Sequence, residues 1–305
     1  MATPAAAPAL TLLLPERRRY AGQPLSPPVA RALARADVLP AGEAGERAQL
    51  LRHFDLLPRG WPMAAITRSL DADDAHLHTW LRADPAHVRP DMTGARVLAI
   101  GELGLSAEEA NALVAPLRSL FGDAGFPISA PQPSRWYLAL PREAKLPEFS
   151  PPEAVLGDDL FSHLPDGPEG RRWRALLNEA QILLHNHPVN AARAAAGRIT
   201  ANSLCFWGAG RLPDRVRCAV PQVVSADPGV MALARLAGAN PDSSRHELLL
   251  DLRSERDWTV VEKALLETLA GTLGGVQLDF ADGTRLALES RQRFRFWRRP
   301  LAKLA

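Results

Sequence analysis

Apolar residues along this chain fall into two patterns, short runs typical of strands and longer stretches with helical spacing. Residues 9–14 form an almost unbroken apolar run, which predicts a short buried strand. Residues 170–184 place their apolar side chains on one side of a helix, and this is the clearest predicted helix. Residues 276–288 alternate about Asp282-Gly283, which predicts a hairpin with a two-residue turn.

The same patterns predict the remaining elements. Further strands are expected at residues 64–69, 76–82, 96–101, 135–140, 203–207, 217–224 and 247–252. Further helices are expected at residues 28–38, 44–57, 228–237 and 257–270, with another beginning at Ser106. Because strands and helices interleave throughout, the sequence predicts an α/β protein with a mixed sheet flanked by helices.

The helix that begins at Ser106 has the strongest start signal. Glu109 follows Ser106 at the spacing of a capping box, in which each side chain accepts a hydrogen bond from a backbone amide of the other residue. Pro116 lies further along this helix and is expected to kink it or end it early, because proline removes a helical hydrogen bond.

Length and proline content bear on the domain organisation. A chain of 305 residues has room for one large α/β unit, and we expect a single unit over residues 1–305. The alternative is a pair of lobes, residues 1–140 and 153–305. Residues 141–152 would then be the linker, because they contain Pro141, Pro147, Pro151 and Pro152.

Composition excludes several classes of protein. Hydrophobic residues make up 47% of the chain and charged residues 23%, which is typical of a globular protein. The longest apolar runs are too short to span a bilayer, so no membrane partner is expected. Two cysteines are too few for a disulfide framework, and no targeting signal is apparent. A cytoplasmic location is therefore expected.

Polar residues are densest between residues 185 and 211. Glycines that follow a strand allow the backbone to approach a ligand, and Arg193, Arg198 and Arg211 have the planar guanidinium that suits a phosphate or a carboxylate. The alternative interpretation is that Gly208 and Gly210 only shape turns while the arginines are solvated.

Several of these motifs resemble those of two known families. His187-Pro188-Val189-Asn190, Arg193, Ala201-Asn202 and Trp207-Gly208-Ala209-Gly210 resemble a motif of the archaeal-type cofactor-independent phosphoglycerate mutases, members of the alkaline-phosphatase-like superfamily. A weaker resemblance covers Arg82-Ala83-Asp84, residues 93–96 and Glu108-Glu109. Nearly the whole chain also resembles the RpfE-type bacterial regulatory proteins, through residues 80–85, 184–190 and 296–299.

The resemblance implies a mutase-like fold and a set of anion-binding residues. Arg193 and Arg198 would bind the phosphate or carboxylate of a phosphorylated small acid, and Arg82 would add a second contact. His187, Asn190 and Asn202 would shape the loop. The complete implied set is Arg82, His187, Asn190, Arg193, Arg198, Asn202, Gly208 and Gly210.

The chain departs from the mutases at the positions that would bind metal. Those enzymes use two metal ions and begin with an Asp-Gly motif, whereas the early aspartates Asp37 and Asp55 are not followed by glycine. The strand at residues 247–252 runs into Arg253-Ser254 instead of a loop rich in histidine and aspartate. We therefore expect no catalytic residue, no metal, no cofactor and no mutase activity, but a regulatory role with at most an anion pocket.

Two other functions remain open. One is an active cofactor-independent phosphoglycerate mutase whose ligands come from unexpected positions. The other is a regulator that binds protein or nucleic acid and has no small-molecule site. Exposed apolar surface around Trp207 or Trp297, without an arginine-lined pocket, would favour this regulator, which would need a protein partner.

Paired histidines and the two cysteines offer weaker candidates. If residues 76–82 form a strand, His76 and His78 share one face near Asp74, and His185 and His187 have the same spacing. Two histidines do not make a tetrahedral zinc site, so capping or surface roles are expected. Cys205 and Cys218 are expected to be buried as small apolar side chains.

The end of the chain is rich in arginine and aromatic residues. Residues 291–305 carry five arginines, one lysine and no acidic residue. In an extended strand, Arg291, Arg293 and Arg295 would face one side and Phe294 and Phe296 the other. We interpret the segment as an edge strand with its aromatics in the core and its arginines in water. A nucleic-acid partner is not expected, because such surfaces expose aromatics beside cations.

Overall fold

Strands and helices alternate along the chain, in a computed structural model that describes residues 8–91, 94–240, 247–270 and 274–304. The strands are β1 (Leu10–Leu14), β2 (Asp37–Val38), β3 (Phe54–Leu57), β4 (Thr79–Pro90), β5 (Ala95–Ile100), β6 (Ile128–Gln132), β7 (Arg135–Leu140), β8 (Ser203–Gly210), β9 (Arg215–Cys218), β10 (Gln222–Val224), β11 (Leu248–Asp251), β12 (Val276–Phe280) and β13 (Arg285–Leu288). The helices are α1 (Pro27–Arg35), α2 (Glu46–Leu51), α3 (Met63–Asp71), α4 (Ala107–Asp123), α5 (Pro152–Val155), α6 (Gly167–His185), α7 (Pro188–Ala195), α8 (Pro228–Leu236) and α9 (Trp258–Ala270). The predicted mixed α/β class, with sheets flanked by helices, is confirmed.

Two separate parts of the sequence form the first of two compact units. Residues up to 59 combine with residues from 214 onward, and residues 60–213 form the second unit. The chain therefore passes between the units twice, at residues 59–60 and 213–214. The proline-rich segment 141–152, which the two-lobe alternative treats as a linker, lies inside the second unit.

A mixed sheet forms the core of the first unit. Its strand order is β10-β11-β1-β12-β13-β2, in which β1 lies between the parallel strands β11 and β12. All five residues of β1 are buried, as expected for a central parallel strand covered on both faces. The β12–β13 hairpin has the predicted register, with Leu278 opposite Leu286. The carboxyl ends of β10, β11, β1 and β12 meet at one edge of the sheet.

The predicted helix at residues 44–57 is wrong in its second half. Helix α2 ends at Leu51, and Phe54–Leu57 form β3, which pairs antiparallel with β9. Phe54 and Leu56 are buried while Asp55 and Leu57 are exposed, so this stretch follows the two-residue period of a strand. The predicted strand at residues 217–224 is likewise wrong, because β9 and β10 are two strands in different sheets.

The second unit contains an antiparallel sheet centred on the long strand β4. Strand β4 pairs with β5, β7 and β8, and β7 also pairs with β6. Helices α4 and α6 pack on this sheet and bury Trp173 in an aromatic cluster. The ring of Trp173 is stacked on that of Phe126, with 5.1 Å between ring centroids, and meets Phe206 edge to face.

Two predicted strands of the second unit need correction. Residues 64–69 belong to helix α3, because a short apolar run fits a buried helix as well as a strand. The strand predicted at residues 76–82 begins only at Thr79, so His76 and His78 do not share a strand face. His78 instead packs edge to face against Trp80, with ring centroids 5.5 Å apart.

Helix α4 has the predicted capping box but not the predicted break at Pro116. The Ser106 side chain accepts a hydrogen bond from the Glu109 amide, and the Glu109 carboxylate accepts one from the Ser106 amide. The helix continues through Pro116 to Asp123. Buried residues on both sides of the proline, including Val114 and Leu117, hold the two halves in the core, and this packing offsets the lost hydrogen bond.

The segment predicted as a C-terminal edge strand is not a strand. Residues Ser290–Phe294 form a turn of 3-10 helix, in which Glu289 and Gln292 make a reciprocal capping box. The buried Gln292 amide also donates hydrogen bonds to Asp37 and to the carbonyl of Ala287. These hydrogen bonds favour the turn over the extended pairing that the alternating pattern suggested.

No helix in the described part of the chain is long and apolar enough to cross a membrane.

The capping box allows a first prediction. Ser106→Ala should lower the free energy of unfolding of the second unit by about 1 kcal/mol, because an amide at the start of α4 loses its acceptor. Ser106→Thr keeps the acceptor and should lose clearly less. Urea unfolding followed by tryptophan fluorescence measures both, since five of the seven tryptophans lie in this unit. Equal losses for the two variants would contradict the capping role.

Candidate functional site

Arg193 lies on α7, and its side chain is 1% exposed. Its guanidinium donates to the Glu109 carboxylate at 2.6 Å and to the carbonyl of Leu103 at 2.6 Å. It also donates to the carbonyls of Ile199 at 2.8 Å and Gly104 at 3.2 Å. Each guanidinium nitrogen of Arg193 is therefore engaged within the second unit.

Arg198 binds the same carboxylate from the outside. It donates to both oxygens of Glu109, at 2.9 and 3.2 Å, and to the carbonyl of Gly104 at 2.9 Å. Burial alone would raise the pKa of Glu109, but the Ser106 amide and the two arginines lower that pKa below its ordinary value. The structure thus brings Arg193 and Arg198 together, as the resemblance implies, but around a protein carboxylate.

Arg82 belongs to a different cluster in the core of the second unit. Two of its nitrogens bind the two Asp84 oxygens at 2.8 and 2.9 Å, and the third donates to Thr67 at 3.0 Å. Its guanidinium carbon lies 5.0 Å from the centre of the Trp207 ring and 5.2 Å from that of Tyr137. Arg82 is therefore placed with its own carboxylate and not with the other two arginines.

The other implied loop residues stabilise the motif locally. His187 caps α7, since its Nδ1 accepts a hydrogen bond from the Val189 amide at 3.2 Å. Asn190 is buried, and its amide donates to the carbonyls of Leu184 and Ala201 at 2.7 and 2.8 Å. Its side-chain oxygen accepts from the Ala201 amide at 3.0 Å. Asn190 therefore connects the end of α6 to the segment before β8, whereas His187 acts only at the start of α7.

The two glycines of the motif are used for close backbone packing. Gly208 has φ +67°, and a Cβ added there would lie 3.1 Å from the amide nitrogen of Ala64. Gly210 has φ +151°, and a Cβ there would lie 2.5 Å from the Cβ of Pro62. A larger residue would displace the start of α3 in either case, so the glycines allow β8 to contact that helix.

Asn202 joins the motif to β4 and to a cavity. Its side chain exchanges two hydrogen bonds with the backbone of Val88, both at 2.8 Å. It also lines a cavity of about 540 Å³, to which none of Arg82, Arg193 and Arg198 contributes. The remaining lining is mostly apolar, with a few amide side chains and one histidine: Val88, Pro90, Ala95, Leu160, Phe161, Leu164, Leu177, Asn178, Gln181, Ile182, His185 and Asn186.

A second polar cluster lies in the first unit, where the parallel strands β10 and β11 end. Such strand ends are the usual ligand position of an open α/β sheet. The buried Arg253 binds both oxygens of Asp251 at 2.8 Å, and its guanidinium also lies 3.2 Å from Glu46 and 3.5 Å from Asp227. Ser225 donates to Asp251 at 2.7 Å. Arg253 and its three carboxylate neighbours border a cavity of about 330 Å³.

A buried carboxylate near the end of β12 is paired with an arginine in the same way. Asp279 on β12 has no exposed side-chain surface and accepts hydrogen bonds from Arg52 at 2.6 and 3.0 Å. His53 lies 2.8 Å from the same carboxylate. Burial alone would raise the pKa of Asp279, but His53 and Arg52 lower that pKa below its ordinary value.

The residues considered for metal binding do not come together. His187 caps a helix and His185 lines the large cavity, so the pair has no shared centre. Among the described ranges of the chain, no three His, Cys, Asp or Glu side chains are grouped to hold a metal ion. Cys205 is buried as expected, and burial raises the pKa of its thiol, whereas Cys218 is half-buried.

Known proteins share part of this sequence. A probable 2,3-bisphosphoglycerate-independent phosphoglycerate mutase of Geobacter sulfurreducens is 38% identical over 63 residues, 21% of this chain and 16% of that protein. The 2,3-bisphosphoglycerate-independent phosphoglycerate mutase of Methanothrix thermoacetophila is 28% identical over 141 residues, 46% of this chain and 31% of that protein. Part of this chain is related to phosphoglycerate mutases. The matched segments span less than a third of these relatives, and no family model matches the chain.

A structural likeness extends over more of the chain. The cofactor-independent phosphoglycerate mutase of Thermoplasma acidophilum matches 92% of this chain and 89% of its own, with a TM-score of 0.39 and 17% sequence identity. A likeness of this size does not establish a shared function.

Sequence reasoning missed the partners of the arginines. Glu109 was identified as a helix cap, and its second role as the counter-charge of Arg193 and Arg198 was not foreseen. The signal was present, because Glu109 and the two arginines lie in two segments that each resemble a stretch of the same mutase family. Asp84 and Asp251, each two residues from its arginine along the chain, were also missed.

Arg193 and Arg198 share the Glu109 carboxylate, so substituting each of them in turn gives a matched pair of variants. Arg193→Met should lower the free energy of unfolding of the second unit by about 3–5 kcal/mol, because it leaves buried carbonyls without their donor and removes the buried partner of the Glu109 carboxylate. Arg198→Gln removes a half-exposed partner of the same carboxylate and should cost about 1 kcal/mol or less. Urea unfolding followed by tryptophan fluorescence measures both. Similar losses of unfolding free energy in the two variants would show that the burial of the Arg193–Glu109 pair does not determine its contribution to stability.

The Asp251–Arg253 pair predicts an acid-dependent loss of stability. Burial alone would raise the pKa of Asp251, but Arg253 and Ser225 lower it below its ordinary value of 3.8. A lowered pKa stabilises the fold above the unfolded value, and this contribution is lost as pH falls through the folded pKa. Asp251→Asn should therefore lower the thermal midpoint at pH 7 by about 5 °C or more.

The same measurement at acidic pH provides the check. The difference between wild type and Asp251→Asn should begin to shrink below a pH of about 4, where the unfolded carboxyl takes up its proton, and should be lost as the pH falls through the lower pKa of the folded carboxyl. The exposed Asp214→Asn should leave the midpoint unchanged throughout. A difference that stays constant with pH would rule out the ionised pair as its source.

Proposed function

We propose that this chain is a phosphoglycerate mutase-related protein that acts by binding, in a regulatory role, and does not transfer phosphoryl groups. The observation that carries the proposal is the pairing of Arg82, Arg193 and Arg198 with Asp84 and Glu109. Phosphate binding at these positions would require guanidinium nitrogens that face a ligand. Here the carboxylates of the same unit take the place of that anion.

The strand ends of the first unit support the same proposal. The mutase resemblance implies two metal ions held by clustered carboxylates and histidines. Asp251 and Asp279 are each bound through both carboxylate oxygens to an arginine. The oxygens that would ligate a metal ion therefore already accept hydrogen bonds from a guanidinium of the same chain. The residues present do not fit a two-metal site, and we derive no catalytic step through one.

Exposure at the end of the chain favours an interaction protein over a small-molecule enzyme. Trp297 is 69% exposed, whereas Trp207 is half-buried against Arg82 and Asp84. An exposed Trp297, together with arginines that face carboxylates, is the combination expected for a regulator without an anion pocket. The regulatory part of the proposal rests on the resemblance to the RpfE-type proteins, and a cytoplasmic location is proposed with it.

An active mutase is the second candidate. It is favoured by the local identity to 2,3-bisphosphoglycerate-independent phosphoglycerate mutases of Geobacter and Methanothrix. It would require that Arg198, the most exposed of the three arginines, leave Glu109 and turn to substrate.

The two candidates are separated by activity and by binding. With manganese, magnesium or cobalt added, the protein should not interconvert 2- and 3-phosphoglycerate in a coupled assay in which an active cofactor-independent mutase does. Isothermal titration with millimolar 3-phosphoglycerate should show no binding heat. Metal-dependent turnover would overturn the proposal in favour of the enzyme.

Arg198 gives the matched control for the titration. If heat is observed and Arg198→Gln abolishes it while the exposed Arg47→Gln does not, the anion pocket implied by the resemblance exists. Heat that neither substitution changes would place the ligand elsewhere in the protein.

A further inference from the structure

The arginine–aromatic loop, residues 291–299, exposes large aromatic side chains beside arginines. Phe294 is 63% exposed, Phe296 81% and Trp297 69%. The rings of Phe296 and Trp297 meet edge to face with centroids 5.6 Å apart, and Arg293 lies 4.8 Å from the centre of the Phe294 ring. The edge-strand interpretation, with buried aromatics, is therefore wrong. Its reason for excluding nucleic acid, the separation of aromatics from cations, no longer applies.

The loop is held in place by contacts within it and by contacts just after its last residue. Arg295 binds Asp37 through two nitrogens, and Gln292 donates to the same carboxylate. After the loop, the Leu301 amide donates to the Ala30 carbonyl, and Leu304 is buried in the core of the first unit. The aromatic residues therefore project from an anchored loop, and their exposure is a property of the fold.

The charge of the loop indicates a polyanionic partner. Arg293 and Arg299 have no carboxylate partner among the described residues, and Arg298 donates only to the carbonyls of Ala34 and Ala36. Arg291 pairs with Glu289 while its side chain stays largely exposed. At least three guanidinium charges are thus available to neutralise phosphates, and guanidinium is well suited to phosphate geometry.

We propose that the arginine–aromatic loop binds single-stranded nucleic acid, with bases stacked on Phe296 and Trp297 and phosphates paired with Arg293, Arg298 and Arg299. Exposed aromatics beside cations are the features that such surfaces use without strong sequence preference. An anionic membrane is less favoured, because interfacial binding usually needs a longer helix with a continuous apolar face. Here the helical part is a single turn of 3-10 helix.

This inference names a partner for the interaction role proposed above, and it can fail separately from that role. The mutase assay tests whether the chain is an enzyme, whereas oligonucleotide binding tests the loop alone. Nucleic-acid binding with active turnover would leave the loop assigned and the proposed function rejected. If neither nucleic-acid binding nor mutase turnover is observed, the assignment of the loop is overturned and the chain remains an interaction protein with a different partner.

The experiment is a fluorescence anisotropy titration of a labelled 20-nucleotide thymidylate strand with the full chain, over a series of salt concentrations. With three or four phosphates neutralised, log K should fall with log salt with a slope of about −2 to −3. Phe296→Ala/Trp297→Ala should weaken binding about tenfold or more with the slope unchanged, because stacking is lost and charge is kept. Arg293→Gln/Arg299→Gln should reduce the slope by about 1.4.

Matched controls use exposed residues outside the loop. Phe161→Ala, at a phenylalanine that is 60% exposed in the second unit, and Arg47→Gln should leave the affinity within about twofold. Circular dichroism should show that all variants keep the fold, since the substituted side chains are exposed. Equal weakening by loop and control variants would overturn the assignment to this loop.

Two further probes identify the class of partner. A duplex of the same length should bind more weakly than the single strand, because its stacked bases cannot reach the aromatic rings. Vesicles of phosphatidylglycerol should not compete with the oligonucleotide. Tighter binding to the duplex, or binding to vesicles without binding to the strand, would overturn the proposal.

Discussion

A buried guanidinium must be paired, and this constraint organises the second unit. Arg193 has almost no contact with water, so the free energy of its burial is acceptable only because Glu109 and three carbonyls receive its hydrogen bonds. The Glu109 carboxylate also caps α4 and binds Arg198. One side chain therefore fixes the start of a helix and the position of the mutase-like motif together.

The first unit meets the same constraint with the roles reversed. At the ends of its parallel strands, the buried groups are the carboxylates of Asp251 and Asp279, and Arg253 and Arg52 supply the counter-charge. A metal-dependent enzyme would leave such carboxylates to bind an external cation. In both units these buried charges are compensated inside the chain, which is why the mutase relationship and the proposed absence of mutase activity are compatible.

Local signals in the sequence predict an element correctly where contacts between neighbouring residues determine its conformation. The almost unbroken apolar run of β1 and the capping box of Ser106 and Glu109 were found because each depends on neighbouring residues only. Predictions failed where distant partners decide the conformation. Phe54–Leu57 form a strand because β9, more than 150 residues later, pairs with them. The partners of Arg193 and Arg198, more than 80 residues away, were hidden for the same reason.

In the arginine–aromatic loop, partners that are distant in the sequence decide the functional conclusion as well as the conformation. Alternation of arginine and phenylalanine after residue 290 fits a strand, but a strand also needs a partner along its edge. The hydrogen bonds of Gln292 and Arg295 to Asp37 fix a turn instead, and the aromatics then have no core to enter. Exposing Phe296 and Trp297 to water is unfavourable by itself. Retaining them on an anchored loop is therefore best explained by a partner that covers their rings.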